Sequence, residues 1–159
     1  MPVFTTTRHV RHAPAEMFAL VADVERYPEF VPMCTRLKIR RSGQGNDGKI
    51  VQVADMSIGY KFINETFSSR VTLDQAKNTV LVEYIDGPFR KLENRWTFKD
   101  GGKGGCEVVF YIDYEFKSRT FGLLAGAVFE TVFRKMAEAF EARADVIYAQ
   151  RSIASSGVV

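Results

Sequence analysis

Apolar and polar positions alternate with a period of two through most of the first 117 residues, after which the pattern takes a helical period. Residues 2–12 read as a strand rich in Val, Phe and Thr. Pro14 suits the first position of a helix, Glu16 sits in its first turn, and Met17, Phe18, Leu20 and Val21 give it an apolar face. Asp23 can cap a second short helical turn, which Pro28 stops near Tyr27. That leaves Tyr27-Pro-Glu-Phe-Val-Pro32 as a rigid, proline-braced aromatic loop. Strands are predicted over 34–42, 49–58, 60–73 (with a break near Ile58-Gly59), 79–86, 89–99 and 105–117, separated by turns rich in Gly, Asn and Asp. The last alternates most clearly, with Cys106, Val108, Phe110, Ile112, Tyr114 and Phe116 on one face. From Arg119 to Ala149, Leu124, Val128, Val132, Met136, Phe140, Arg143 and Ile147 recur every three or four residues. At about 1.5 Å per residue this is a helix of roughly 45 Å.

A strand, two short helices, six more strands and one long helix make an α+β architecture. Hairpin-length connections make the sheet antiparallel. Its apolar face must be covered, and the terminal helix is the element long enough to cover it. The expectation is a curved antiparallel sheet of six to seven strands wrapped around the C-terminal helix. It forms a single domain over residues 1–151, with a small, polar, disordered tail at 152–159.

Composition adds one question and removes several functions. The 13 Phe, 6 Tyr and 1 Trp call for a large interior or for a cavity to line, and the count alone fits both. A net charge of +3 does not by itself imply nucleic acid, and no DNA partner is expected. Cys34 and Cys106 form neither a CxxC motif nor a zinc spacing, and read as two buried free thiols of a reducing compartment. The N-terminus has no secretory signal, and no run approaches the ~20 apolar residues that span a bilayer. The expected location is therefore cytoplasmic, with peripheral contact at the cytoplasmic membrane. Asp100-Gly-Gly-Lys-Gly-Gly105 lacks phosphate-loop spacing and joins two strands, so it is a hairpin turn. His9 and His12, three apart on a strand, face opposite sides and cannot chelate a metal together. No nucleophile motif or dinucleotide fingerprint is present, so the expectation is a protein that is not an enzyme and requires no cofactor.

Four local motifs carry a resemblance. Tyr27-Pro-Glu-Phe-Val-Pro-Met-Cys34, Gly87-Pro-Phe-Arg-Lys-Leu-Glu-Asn-Arg-Trp-Thr-Phe98, Tyr114-Glu-Phe-Lys117 and the helical Met136…Ala139-Phe-Glu-Ala-Arg-Ala144, in this order of elements, resemble the coenzyme-Q-binding branch of the START-like, helix-grip (polyketide cyclase-like) superfamily. The similarity runs over about residues 3–150. It implies a deep apolar cavity that binds ubiquinone as a ligand, in a non-catalytic lipid chaperone that supports respiratory electron transport. The partners it implies are the prenyl lipid, the inner membrane and respiratory enzymes. The same branch contains bacterial ribosome association toxins, for which the partner is the large ribosomal subunit and the effect is blocked subunit joining. The motifs fit both roles. A cyclase or hydrolase is a third reading with thinner support. Mitochondrial members carry a targeting extension; this chain starts directly at the first strand, as expected of a bacterial form.

On these grounds the candidate cavity and lip residues are Phe30, Val31, Pro32, Phe89, Leu92, Asn94, Trp96, Phe110, Ile112, Leu124, Val128, Val132 and Met136. Phe30 and Val31, between two prolines, either form an exposed lip for a membrane surface or cap the core. Asn94 shares a face with Leu92, Trp96 and Phe98 and, if inward, needs a partner: a quinone oxygen, the backbone or a Tyr hydroxyl. Gly122, Ala125, Gly126 and Ala127 mark either a flexible gate or close packing of helix on sheet. Arg36, Lys38, Arg40 and Arg41 lie on a solvent face that would suit anionic lipid or ribosomal RNA. Because a polyprenyl tail is long, the cavity is expected to be a tunnel with an open end, or to extract the lipid only in part.

Overall fold

The computed structural model describes residues 3–156, with side chains described over 3–148. The elements are β1 (Val3–Val10), α1 (Pro14–Ala22), a 3-10 helix (Val24–Glu29), β2 (Cys34–Gln44), β3 (Ile50–Tyr60), β4 (Ile63–Asp74), β5 (Thr79–Asp86), β6 (Phe89–Gly102), β7 (Gly105–Phe116) and α2 (Arg119–Ser156). The seven strands form one sheet in the order β1-β7-β6-β5-β4-β3-β2, every pairing antiparallel. The period-two rows of the strands face inward onto α2. In β7, Cys106, Val108, Phe110, Ile112 and Tyr114 are all buried.

Boundaries moved where tertiary contacts outweigh local signals. β1 ends at Val10, so His12 lies beyond the strand, its Nε2 2.7 Å from Asp145 Oδ1. The second helical turn continues through Pro28, whose fixed φ suits 3-10 geometry, and the Asp23 side chain does not cap it. The β3–β4 turn falls at residues 61–62 and not at Gly59, because Lys61 itself adopts a left-handed φ of 53°. Gly59 stays in the strand for a different reason. A Cβ there would sit 2.9 Å from Thr35 Cγ2, and its N–H donates to Met33 O across 2.9 Å. α2 runs on to Ser156, past the expected end at Ala149; residues 157–159 of the expected tail lie outside the described residues.

The buried stripe of α2 is Ala125, Phe129, Val132, Phe133, Met136, Ala137, Phe140 and Ala144. The expected row of Leu124, Val128, Val132, Met136 and Phe140 is corrected at its start: Leu124 is exposed and Val128 half-buried. A strict four-residue spacing advances about 40° around a helix at each step, so such a row begins on the solvent side and ends in the core. The small residues of the first turns pack closely. A Cβ on Gly122 would lie 3.3 Å from Phe116 Cδ2, and one on Gly126 4.0 Å from Phe116 Cε2. They bring the helix onto the Phe116 ring and form no break in it.

The second half of α2 is tethered. Arg8 Nη2 lies 2.6 Å from Glu141 Oε1, Arg143 Nη2 lies 2.6 Å from Glu29 Oε1, and the Tyr148 hydroxyl donates to Glu16 O at 2.9 Å. Among the described residues no ion pair joins α2 to the sheet before Glu141. Its first half rests on rings: Phe129 meets Phe67, Phe89 and Phe116 at centroid separations of 6.5, 5.3 and 5.5 Å.

Candidate functional site

Where α2, the 3-10 helix and the inner faces of β2–β7 converge, the packing leaves a cavity of about 50 Å³. Val24 and Tyr27 line it from the 3-10 helix, Leu37 from β2, Ala54 and Met56 from β3, and Phe67, Ser69 and Val71 from β4. Val82, Leu92, Asn94 and Ile112 complete the sheet side, and Phe133 and Met136 the helix side. Ala54, Ser69 and Val71 contribute short side chains to this wall, where Tyr27, Phe67 and Phe133 contribute rings.

Its size corrects the expected open tunnel. Ligand pockets typically hold ~300–1,000 Å³, and this space is several times smaller. The aromatic content goes chiefly into filling: Trp96 is buried against Phe98, Phe110 and Phe140, and Phe89 against Phe67, Tyr84, Tyr114 and Phe116.

Of the candidate residues, Leu92, Asn94, Ile112 and Met136 come together on the cavity wall. Phe89, Trp96, Phe110 and Val132 are buried in the surrounding packing and do not line it. Phe30, Val31 and Pro32 form no exposed lip. Val31 is buried, and the half-buried Phe30 ring stacks edge-on to Phe140 at 4.9 Å with the Arg143 guanidinium 5.1 Å from its centroid. The loop caps the core because Phe140, far away in sequence, supplies a surface that the prolines alone do not reveal. Arg36, Lys38, Arg40 and Arg41 are exposed on the edge strand β2. Arg40 is taken up by Asp55, with its Nε 2.9 Å from Oδ2, whereas the other three make no ion pair among the described residues.

Three polar groups face the cavity. Tyr27 donates its hydroxyl to Val21 O at 2.5 Å, and burial raises its pKa well above the usual phenol value. It is the only titratable side chain on the wall among the described residues, and nothing there is poised for proton transfer near neutrality. Asn94, 6% exposed, donates Nδ2–H to Tyr111 O at 2.9 Å and accepts the Trp96 indole N–H at 3.1 Å. Its orientation is therefore held by the protein's own backbone and indole. Ser69 is different. It is 5% exposed, and its Oγ has no hydrogen-bond partner among the described residues. The β4–β5 register shifts between Ser68 and Ser69. Ser68 turns outward to donate to Asp55 Oδ1 at 2.6 Å, while Ser69 joins the inward row of Phe67, Val71 and Leu73. That alternating row was the signal in the sequence that would have found it.

Both cysteines are free and buried, as expected. Burial raises each thiol from 9.0 to about 11. A thiol of the unfolded chain ionises first, so this contribution to stability is full below about pH 8.5 and is lost as pH rises through 11. The urea midpoint should therefore fall between about pH 9 and 11. Neither thiol should be alkylated at pH 8 until the chain is unfolded; rapid native labelling would show the interior to be open.

Among the described residues no helix is long and apolar enough to cross a membrane. The sequence profile of the family described as "Polyketide cyclase / dehydrase and lipid transport" matches residues 10–141. The chain is 33% identical over 151 residues to the ribosome association toxin RatA of Escherichia coli K12, covering 95% of this chain and 92% of that one. It is 28% identical over 146 residues to the mitochondrial coenzyme Q-binding protein coq10 of Schizosaccharomyces pombe, covering 90% and 87%. The solution structure of an 18 kDa protein from Caulobacter crescentus superposes with a TM-score of 0.75 at 30% identity, over 94% of this chain and 99% of that one.

Proposed function

This chain belongs to the polyketide cyclase/dehydrase and lipid transport family, and from that premise we propose that it binds the head group of an isoprenoid quinone, ubiquinone, in the α2–sheet cavity and carries the lipid without reacting on it. The observation that carries this reading is Ser69 Oγ, the one of the three polar groups on a largely apolar wall that has no hydrogen-bond partner among the described residues. A buried hydroxyl without a partner costs about 1–3 kcal/mol, which a ligand oxygen in the cavity would recover. The similarity to a protein named for coenzyme Q binding supports the choice of ligand.

Moving a prenyl tail from bilayer to protein exchanges one apolar phase for another, so the gain of about 0.8 kcal/mol per methylene that accompanies leaving water is largely absent. Selectivity then rests on shape and on the few polar contacts to the head. Uptake requires the cavity to widen. The first half of α2 is the element able to move, since the ion pairs to Glu29 and Arg8 hold its second half. Protein purified from a ubiquinone-containing host should yield the quinone on solvent extraction, and the emptied protein should bind short-chain ubiquinone. Failure of both would end the proposal.

One observation favours a second reading: Arg36, Lys38 and Arg41, without an ion pair among the described residues, form a cationic row on the edge strand of a chain 33% identical to a ribosome association toxin. Such a row suits RNA phosphates. A sucrose gradient after overexpression separates the readings, because loss of joined ribosomes would favour the toxin.

A further inference from the structure

The three most exposed large apolar side chains of the described residues, Leu123 (83%), Phe62 (77%) and Leu124 (59%), lie at one end of the molecule. The topology defines that end. The β3–β4 turn, the β5–β6 turn and the β7–α2 junction all leave the antiparallel sheet on the same side. Two close contacts tie them together: the Cβ position of Gly87 is 2.6 Å from Phe67 Cβ, and Phe67 in turn meets Phe129 of α2. Tyr60 and Ile85, also exposed, belong to the same end. Cations are interleaved with these side chains. Lys61 lies over the Tyr60 ring at 5.2 Å, and Lys117 and Arg119 make no ion pair among the described residues. Arg90 is 3.7 Å from Glu115.

We propose that this end docks on a bilayer surface bearing anionic phospholipid. The apolar groups sit on two projections, a hairpin tip and the first turns of a helix, and among them Lys61, Arg90, Lys117 and Arg119 outnumber Glu65, Asp86 and Glu115. A protein partner would meet that arrangement as a broken surface, whereas a fluid interface accommodates it: aromatic and aliphatic tips enter the acyl boundary and the ammonium and guanidinium groups remain at the phosphates. The surface uses neither the Arg36–Arg41 row nor the side chains of the Tyr27–Pro32 loop, although that loop enters β2 at the same end. Its argument does not depend on what the cavity holds.

The test uses the full chain and quinone-free vesicles of phosphatidylcholine, with or without a minority of phosphatidylglycerol. The wild type should sediment with the anionic vesicles, less so as salt rises. Phe62→Glu combined with Leu123→Glu should lower partitioning by at least about fivefold. Ile50→Glu, at the opposite end of the sheet, should leave it unchanged. All three positions are exposed, so equal melting curves verify folding. Because Cys34 and Cys106 are buried, an environment-sensitive thiol dye on Phe62→Cys reports directly, and its emission should shift to the blue on vesicles. The proposal is overturned if the wild type ignores both vesicle types, if the double variant binds as the wild type does, or if Ile50→Glu is as damaging. It is equally overturned if the double variant loses only a solution dimer or only ribosome association, which would assign the face to a second copy or to the ribosome.

Discussion

Replacing Ala54 by leucine is expected to weaken binding of the proposed quinone ligand while leaving the fold intact. Ala54 is buried in β3, and its short side chain is one reason the cavity exists. Leucine adds three carbons facing a void of about 50 Å³. In the ligand-free protein they fill space that was empty, which at about 24 cal/mol per Å³ is worth up to about 1 kcal/mol. The thermal midpoint should therefore hold or rise. A ligand head entering the same space would have to displace packed carbons, and overpacking costs about 1–3 kcal/mol. Affinity for short-chain ubiquinone should fall roughly ten- to a hundredfold, read by titration of the emptied protein. Unchanged affinity would place the ligand elsewhere. The same variant separates the two functions under consideration, because a buried change in β3 leaves the exposed cations of β2 untouched: ribosome association, if it occurs, should survive.

What the sequence made legible follows from what alternation can report. It says which residues of a strand share a face, and the strands, their antiparallel pairing and the shared rows of β6 and β7 were read from it within a few residues, whereas the placement of β1 beside β7 was not. It cannot report volume. Leu92, Asn94, Ile112 and Met136 were recognisable as inward, but whether they enclose a tunnel or a closed void depends on how far α2 settles onto Phe116, Phe67 and Phe89, contacts made across long stretches of chain. Helical phase was legible only in part. The row beginning at Leu124 satisfies a four-residue rule and still starts in solvent, and Phe129 and Phe133, which sit on the true stripe, were passed over. The Tyr27–Pro32 loop stayed open between a lip and a cap on the core, because proline stiffness fixes a shape and not an orientation. Phe30 faces inward because Phe140 and Arg143 wait for it there.

Tethering at one end and apolar exposure at the other give α2 a direction. Glu141, Arg143 and Tyr148 fasten it to β1, the 3-10 helix and α1 respectively. Its first turns carry Leu123 and Leu124 outward and Phe129 inward. If the helix opens on a bilayer, it opens at the end that meets the lipid, and the void above Ser69 enlarges from that side. Docking and uptake would then be one motion, and both would depend on the weak grip of rings in place of ion pairs.

Substituting Ser69 by alanine should move stability and affinity in opposite directions. The Ser69 hydroxyl is buried in the cavity wall with no partner among the described residues, so the folded protein bears its desolvation. Removing one oxygen relieves that penalty, and the variant should gain about 1–2 kcal/mol in urea unfolding. A quinone carbonyl in the cavity would accept a hydrogen bond from this hydroxyl, and the variant loses it. Affinity for short-chain ubiquinone should drop about tenfold. A prenyl hydrocarbon without a head group supplies the control, since it offers no acceptor and should bind both proteins alike. If the hydroxyl were a packing element alone, both ligands would respond together. A variant that is more stable and yet selectively blind to the quinone head is the result that a hydroxyl kept for a ligand requires, and equal binding of ubiquinone by both proteins would remove Ser69 from the site.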